Sequence, residues 1–273
     1  LGTAQDGGLP QAACTCDHCR AAHAAPALRR LVACLGLVDR TARQSWLIDS
    51  TPDFREQVHA LQTLAPDCPL VGIALTHAHV GHYAGLIHLG REAWDTRRLP
   101  VYASAPMARF LEDNAPWSQL VALGNIELRP LVPEEAVALG PDLSLLPLPV
   151  PHRDEFADTL AFVVRGPDRR LLYCPDIDAW DRWDRDLRSF VADMDVALLD
   201  GTFFSADELP GRDLAEIPHP LATGTAQRLA GVDCDLRLIH LNHSNPLHRP
   251  GPERDWLAER GIGVGTFGDR WSL

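Results

Sequence analysis

The run Ile73-Ala74-Leu75-Thr76-His77-Ala78-His79-Val80-Gly81-His82 places three histidines at H-x-H-x-x-H spacing, directly after an apolar stretch. In an extended chain alternate side chains share a face, so His77 and His79 can converge on one ion. His82 falls where Tyr83 to Leu89 begins to read as a helix and approaches from another direction. Neutral imidazole is a favoured ligand for zinc, iron and manganese. A chance cluster of surface histidines is the plainer reading of a lone His, but it fits poorly with a triplet at a strand end.

The pattern around the motif predicts an α/β protein. Short apolar runs of strand type recur at Leu31–Val38, Ser45–Ile48, Val71–Leu75, Val101–Ala103, Ile126–Leu128, Leu143–Leu148, Leu160–Val164, Leu171–Cys174, Val196–Leu199, Leu236–Leu241 and Ile262–Phe267. Helical patterns lie at Phe54–Leu64, Ala84–Trp94, Pro106–Asn114, Trp180–Asp193, Ala222–Ala230 and Pro252–Arg260. Early strands read as hairpin-linked and later ones as helix-spaced, which suits two sheets covered by helices. No linker or repeat divides the chain, so residues 1–273 are expected to form one domain. His and Asp cluster just past several strand ends: Asp49 to Asp53, Thr76 to His82, His152, Asp176, Asp200 to Thr202 and His240 to His243. Such a distribution predicts one rim where loops build a site.

Lys and Arg number 25 against 37 Asp and Glu, a net charge of -12. That balance works against nucleic-acid binding, which needs Lys and Arg against phosphates. A small-molecule substrate is expected instead, and the oligomeric state stays open. No apolar run approaches the roughly 20 residues of a membrane helix, and no signal-peptide pattern is present. A cytoplasmic location is expected, although residue 1 is Leu and leaves a targeting segment upstream open. Of seven cysteines, three stand together as Cys14-Thr15-Cys16-Asp17-His18-Cys19. Their spacing suits a structural Zn2+ that needs a fourth ligand, with His18 a weak choice inside so short a loop. Cys34, Cys174 and Cys234 read as buried small hydrophobes.

Taken in order, His77-x-His79-x-x-His82, His152, Asp176 and His240 resemble the ligand series of the metallo-β-lactamase superfamily. The opening Leu1 to Gln11, the C-x-C-x-x-C element and Leu238-Ile239-His240-Leu241-Asn242-His243-Ser244-Asn245-Pro246 resemble its branch containing pyrroloquinoline quinone (PQQ) biosynthesis protein B. The cysteine element also resembles that of the carbon–phosphorus lyase pathway phosphodiesterase. This resemblance implies a four-layered αβ/βα sandwich with metals at one edge. It implies a first site of His77, His79 and His152, a bridging Asp176, and a second site of His82, Asp176 and His240. It also implies His243 as the fourth ligand of the cysteine zinc and His219 as a proton donor. Asp49 to Asp53 would support the metal site, and Asp200 would either hold a ligand in place or begin a turn. One departure stands out: the family's Asp between the second and third histidines is Gly81 here. Glycine cannot ligate, so the second site is expected to be weakened or absent, with one or two Zn2+, Fe2+ or Mn2+ ions at the histidine site besides the structural zinc.

The implied chemistry is hydrolysis of an ester, lactone, amide or phosphodiester, because a bound ion lowers the pKa of its water. Asp176 would orient the nucleophile. The alternative is a non-haem iron-dependent oxygenase in PQQ-type cofactor biosynthesis. A third reading, favoured by Gly81, is a non-catalytic carrier on a degenerate enzyme fold.

Overall fold

The computed structural model describes residues 1–209 and 216–273. Its frame is two sheets. The first has five strands in the order β1 (Leu35–Asp39), β2 (Gln44–Ile48), β3 (Leu70–Ala74), β4 (Leu99–Ala103) and β5 (Ile126–Pro130). β1 and β2 form an antiparallel hairpin with Leu35 opposite Ile48, and the other pairs are parallel. The second sheet has β6 (Val137–Ala138), β7 (Ser144–Pro149), β8 (Leu160–Arg165), β9 (Arg170–Cys174), β10 (Val196–Asp200), β11 (Asp235–Ile239) and β12 (Ile262–Val264), neighbours in chain order. β6 to β9 meander antiparallel, while β9 to β12 run parallel.

Side-chain alternation along these strands generates the layers. Trp46 and Ile48 of β2 join Leu160, Phe162, Val164, Leu171, Tyr173, Val196 and Leu198 in one core between the sheets. Leu47 faces the other way, onto α2 (Phe54–Leu64) and α4 (Ala105–Asp113), among Phe54, Val58, Leu61 and Met107. Leu172, Cys174, Ala197 and Leu199 face a third core with α6 (Leu187–Ala192), α7 (Ala222–Leu229) and α8 (Pro252–Ala258). Helix, sheet, sheet and helix therefore stack in four layers, as expected. Strands buried on both faces explain why β8 and β10 are apolar without alternation.

Parallel strands end at one rim. The carboxyl ends of β2, β3, β9, β10 and β11 deliver Asp49, His77, Asp176, Asp200 and His240 there. β7, antiparallel to β8 and hence parallel to β9, delivers His152. Open α/β sheets bind ligands at such carboxyl edges.

Local departures from the expected elements have local reasons. The helix expected over Ala84–Trp94 is a 3-10 turn at Ala84–Leu89, preceded by one α-turn, α3 (Val80–Tyr83). Gly85 approaches Thr51 too closely for any side chain, with 2.2 Å from an added Cβ to the Thr51 carbonyl oxygen. Trp180–Asp193 splits into a 3-10 turn at Trp180–Arg182 and α6, capped by Asp186, whose side chain accepts from the Ser189 N–H at 2.8 Å. Two helices without a sequence signal are present: α1 (Asp17–Ala24) and α5 (Trp117–Ala122). Leu31–Cys34 is not strand but bridges to the N-terminal segment, Gly2 pairing with Cys34 and Ala4 with both Val32 and Leu241. Cys34 and Cys174 are buried, as is Cys68, but Cys234 is only half-buried, contrary to expectation.

Candidate metal centre

Among the described residues four groups of metal-competent side chains converge, three of them sharing Asp176, and the last of these, Asp176, Asp200, His219 and His240, overlaps the second. The first holds His77, His79, His152 and Asp176. His79 Nδ1 lies 2.9 Å from His77 Nε2 and 3.1 Å from His152 Nε2. Asp176 places Oδ2 3.3 Å from His77 Nε2 and Oδ1 3.3 Å from His152 Nε2. Donors about 2.0–2.1 Å from one tetrahedral ion stand roughly 3.3–3.4 Å apart. The Asp176 contacts match that spacing, and the imidazole contacts at 2.9 and 3.1 Å are a few tenths of an ångström tighter, so the donor set suits a first-row divalent cation.

Outer partners orient these donors. His152 Nδ1–H donates to Asp178 Oδ1 at 2.9 Å, and Arg182 holds the other Asp178 oxygen at 2.7 Å. His79 Nε2–H donates to Glu155 at 3.1 Å, leaving Nδ1 free to face inward. His77 Nδ1–H donates to the Thr76 hydroxyl at 2.9 Å, which itself donates to Asp49 at 2.9 Å. Such partners fix each imidazole's tautomer and aim its lone pair.

His82, Asp176 and His240 form the second group, joined by a residue the sequence reading missed, Asp6. His82 Nδ1–H donates to Asp49 Oδ2 at 2.8 Å. His240 Nδ1–H donates to the Thr202 hydroxyl at 2.9 Å, which donates to Asp200 at 2.8 Å. The two halves of the site thus repeat one device, a carboxylate anchoring a threonine that anchors a histidine. Asp49 and His240 hold left-handed backbone, with φ of 71° and 60°. Such strain in non-glycine residues clusters at functional sites. Asp176 Oδ2 also lies 3.6 Å from His240 Nε2 and 3.8 Å from His82 Nε2, so one carboxylate serves both groups. Asp6 Oδ1 stands 3.3 Å from His240 Nε2 and 3.4 Å from His82 Nε2. Among the described residues, His82 Nε2 and Asp176 Oδ1 are buried without an aligned hydrogen-bond partner. Buried polar atoms rarely stay unpaired, and cations seated in the two groups would satisfy them, since Asp176 Oδ1 faces His152 in the first while His82 Nε2 faces Asp6 and Asp176 Oδ2 in the second.

The charges follow from this packing. Burial drives His77 well below the usual imidazole pKa. Burial also opposes charge on Asp176, yet His240, His152 and His219 together hold its pKa well below the usual carboxylate range. His219 lies between the groups, Nδ1 2.8 Å from Asp200 Oδ2 and 3.3 Å from Asp176 Oδ1. Burial disfavours its charged form, but Asp200 and Asp176 outweigh it and raise the pKa to about 9.

The third group is Cys14, Cys16, Cys19 and His243. His243 Nδ1 lies 3.5, 3.6 and 3.7 Å from the three Sγ atoms. A tetrahedral zinc with three sulfurs and one nitrogen would separate them by about 3.5–3.6 Å. His18 turns away, its Nδ1 meeting the His243 carbonyl at 3.1 Å. Cys16 caps α1, its sulfur accepting from the Cys19 N–H.

Beside the histidine group, a groove of about 340 Å³ includes Arg109, Phe110, Glu155 and Phe156. Trp180 and Trp183 fill a core instead. No helix among the described residues is long and apolar enough to cross a membrane.

Comparison with known proteins agrees with this architecture. Residues 45–233 match the Beta-lactamase superfamily domain. Coenzyme PQQ synthesis protein B of Azotobacter vinelandii is 29% identical, over 98% of this chain and 97% of its own. That of Ruegeria pomeroyi is also 29% identical, with the same coverage. The crystal structure of Zn(2+)-bound PqqB from Methylobacterium extorquens superposes with a TM-score of 0.84 at 24% identity, covering 100% of this chain and 98% of that one. A diphosphatase from the PhnP family gives a TM-score of 0.65 at 21% identity, covering 97% and 91%. The chain belongs to the beta-lactamase superfamily, as a metallo-β-lactamase-fold protein resembling coenzyme PQQ synthesis protein B.

Proposed function

We propose that this protein is a metal-dependent hydrolase acting on a small molecule with an ester, lactone, amide or phosphodiester bond. The observation that carries the reading is Asp176, a buried carboxylate shared by two groups of inward-facing histidine nitrogens. His77, His79 and His152 with Asp176 would hold one ion, and His82 and His240 with Asp176 would contribute to a second. Zinc or another divalent ion held there would lower the pKa of a water and polarise the substrate oxygen on which charge develops.

The chain's own groups have separable tasks. Asp176 orients the attacking water across the two groups. Asp49, Thr76, Asp178 and Thr202 keep the histidine lone pairs aimed inward. His219 has Nδ1 hydrogen-bonded to Asp200 and 3.3 Å from Asp176, and its Nε2 has no hydrogen-bond partner among the described residues. His219 is therefore assigned as the proton donor to the leaving group. The groove beside Glu155 admits substrate, and Arg109 in it suits an anionic group. The cysteine group with His243 holds a structural zinc. The net charge of -12 argues against nucleic acid as substrate.

Iron-dependent oxygenation is the second reading. It is favoured by a histidine centre with nitrogen and oxygen donors and no thiolate, a set that suits Fe(II) as well as zinc. One experiment separates the two. Elemental analysis of the wild type and of His77→Ala is paired with anaerobic turnover of an ester, lactone and phosphodiester panel by zinc-loaded protein. Loss of an ion and of anaerobic turnover in His77→Ala supports the hydrolase. Turnover only with iron and oxygen overturns it in favour of the oxygenase. A wild type that retains only the cysteine-dependent zinc after loading leaves a binding protein.

A further inference from the structure

Gly81 and Asp6 lie against one another, although 75 positions separate them in the chain. A Cβ built on Gly81 would stand 2.4 Å from Asp6 Oδ1, 2.6 Å from its Cγ and 2.8 Å from its Cα. No real Cβ tolerates such contacts, and the last involves backbone. A side chain at position 81 and the observed placement of Asp6 are therefore mutually exclusive.

We propose that Asp6 supplies the carboxylate ligand of the second metal ion, from the N-terminal loop rather than from the histidine motif. The inference rests on the reading of the centre as metal-binding. The donor set becomes Asp6, His82, Asp176 and His240, two imidazoles and two carboxylates, which suits zinc, iron(II) or manganese(II). Asp6 Oδ1 meets both imidazole nitrogens at tetrahedral spacing, 3.3 and 3.4 Å. An independent observation points the same way. His82 is fully buried, its Nδ1–H is committed to Asp49, and Nε2 faces Asp6 and Asp176 without an aligned hydrogen bond.

Backbone bonds hold Asp6 in place. The Gln5 N–H donates to the Leu241 carbonyl at 3.0 Å, the Leu241 N–H to Thr3 at 2.9 Å, and the Gly8 N–H to Gln5 at 2.7 Å. Asp6 is thus pinned beside His240 by the segment that follows β11. Its loop continues to Cys14, Cys16 and Cys19, which meet His243 on that same segment. The second ion's carboxylate is in this way carried by a loop whose far end is clamped by the cysteine group. The weakening of the second site expected from Gly81 is offset, because another part of the chain enters the space glycine leaves.

The test is metal stoichiometry and affinity, read by elemental analysis after dialysis and by chelator competition, with Zn2+ and Co2+ as probes. It uses wild type, His77→Ala, Asp6→Asn, Asp6→Ala and Gly81→Ala. Wild type is expected to hold two ions at the histidine centre besides the cysteine zinc. Both Asp6 variants should bind the second ion at least about tenfold more weakly, since even an outer partner of a ligand is worth that much. Gly81→Ala changes no ligand, yet should weaken the same ion by displacing Asp6. Retention of the cysteine zinc reports that His77→Ala is folded, and the same zinc with an intact cobalt spectrum at the first site reports it for the Asp6 and Gly81 variants. Unchanged second-ion affinity in Asp6→Asn and Asp6→Ala overturns the proposal and leaves the hydrolase reading standing. A wild type that loads no ion at the histidine centre overturns both.

Discussion

At the residue scale, the most consequential side chain outside the metal-competent groups is Asp49. It is fully buried and accepts from the Thr76 N–H and hydroxyl and from His82 Nδ1–H. It so anchors His82 directly and His77 through Thr76. Asp49→Ala is expected to reduce divalent-ion affinity about 10- to 100-fold, the range for outer partners of ligands. It should also destabilise the fold by at least about 1–3 kcal/mol, because buried donors lose their acceptor. Chelator competition and urea denaturation would show both effects. A second prediction concerns His248, whose Nε2–H donates to the Asn242 carbonyl at 2.8 Å. Burial depresses its pKa from 6.5 to about 4. Protonation therefore favours the unfolded chain. Its contribution is fully present above pH 6.5 and is lost as pH falls towards 4, by roughly 3 kcal/mol over that window. His248→Gln should flatten the stability-versus-pH curve there by that difference. The motif histidines were legible as residues because they sit together in sequence. Asp49's role was legible only as proximity to the site, since its acceptor geometry spans 33 positions to His82.

Among the elements, the N-terminal loop and α1 carry the clearest consequence. Cys14-x-Cys16-x-x-Cys19 was readable as a zinc element from spacing, but nothing in its composition announced that Cys16 would start a helix. The helix depends on sulfur acceptance at its N-terminus, and α1 contributes only Cys19 and Ala22 as buried residues. Little apolar burial holds it otherwise. Cys16→Ser is expected to remove one zinc per chain and to expose residues 1–24 to limited proteolysis. Because Asp6 lies on the same loop, second-site affinity should fall as well, while the first site keeps its ion. Elemental analysis combined with proteolytic mapping would check both. Elsewhere, helical periodicity succeeded where one apolar face packs on a sheet, as in α2 and α7. It failed at Ala84–Trp94, where glycine and close approach to Thr51 impose a tighter turn.

For the molecule as a whole, the centre is a seam. His77, His79 and His82 follow β3 of the first sheet, while His152, Asp176 and His240 follow β7, β9 and β11 of the second. An ion held between them would tie the two sheets at their carboxyl edges, in addition to the core at Phe162 and Tyr173. Zinc at 100 times its dissociation constant should stabilise the fold by about 2.7 kcal/mol. For a chain of this length that raises the melting temperature by roughly 5 °C. Scanning calorimetry on chelated and reloaded protein would read it, with His77→Ala showing a smaller shift.

By itself the sequence determined most of the strands, two sheets covered by helices, the imidazole and thiolate donors and the order in which they appear. Those properties follow from periodicity and short spacing, which local chain geometry dictates. Tertiary structure alone decided that a second carboxylate, Asp6, joins His82 and His240. Asp6 meets His240 across 234 positions, and it occupies space that exists only because residue 81 lacks a Cβ. A glycine that reads in one dimension as a missing ligand is, in three, the opening through which a distant one enters. Excluded volume between segments far apart in sequence has no signature in either segment alone.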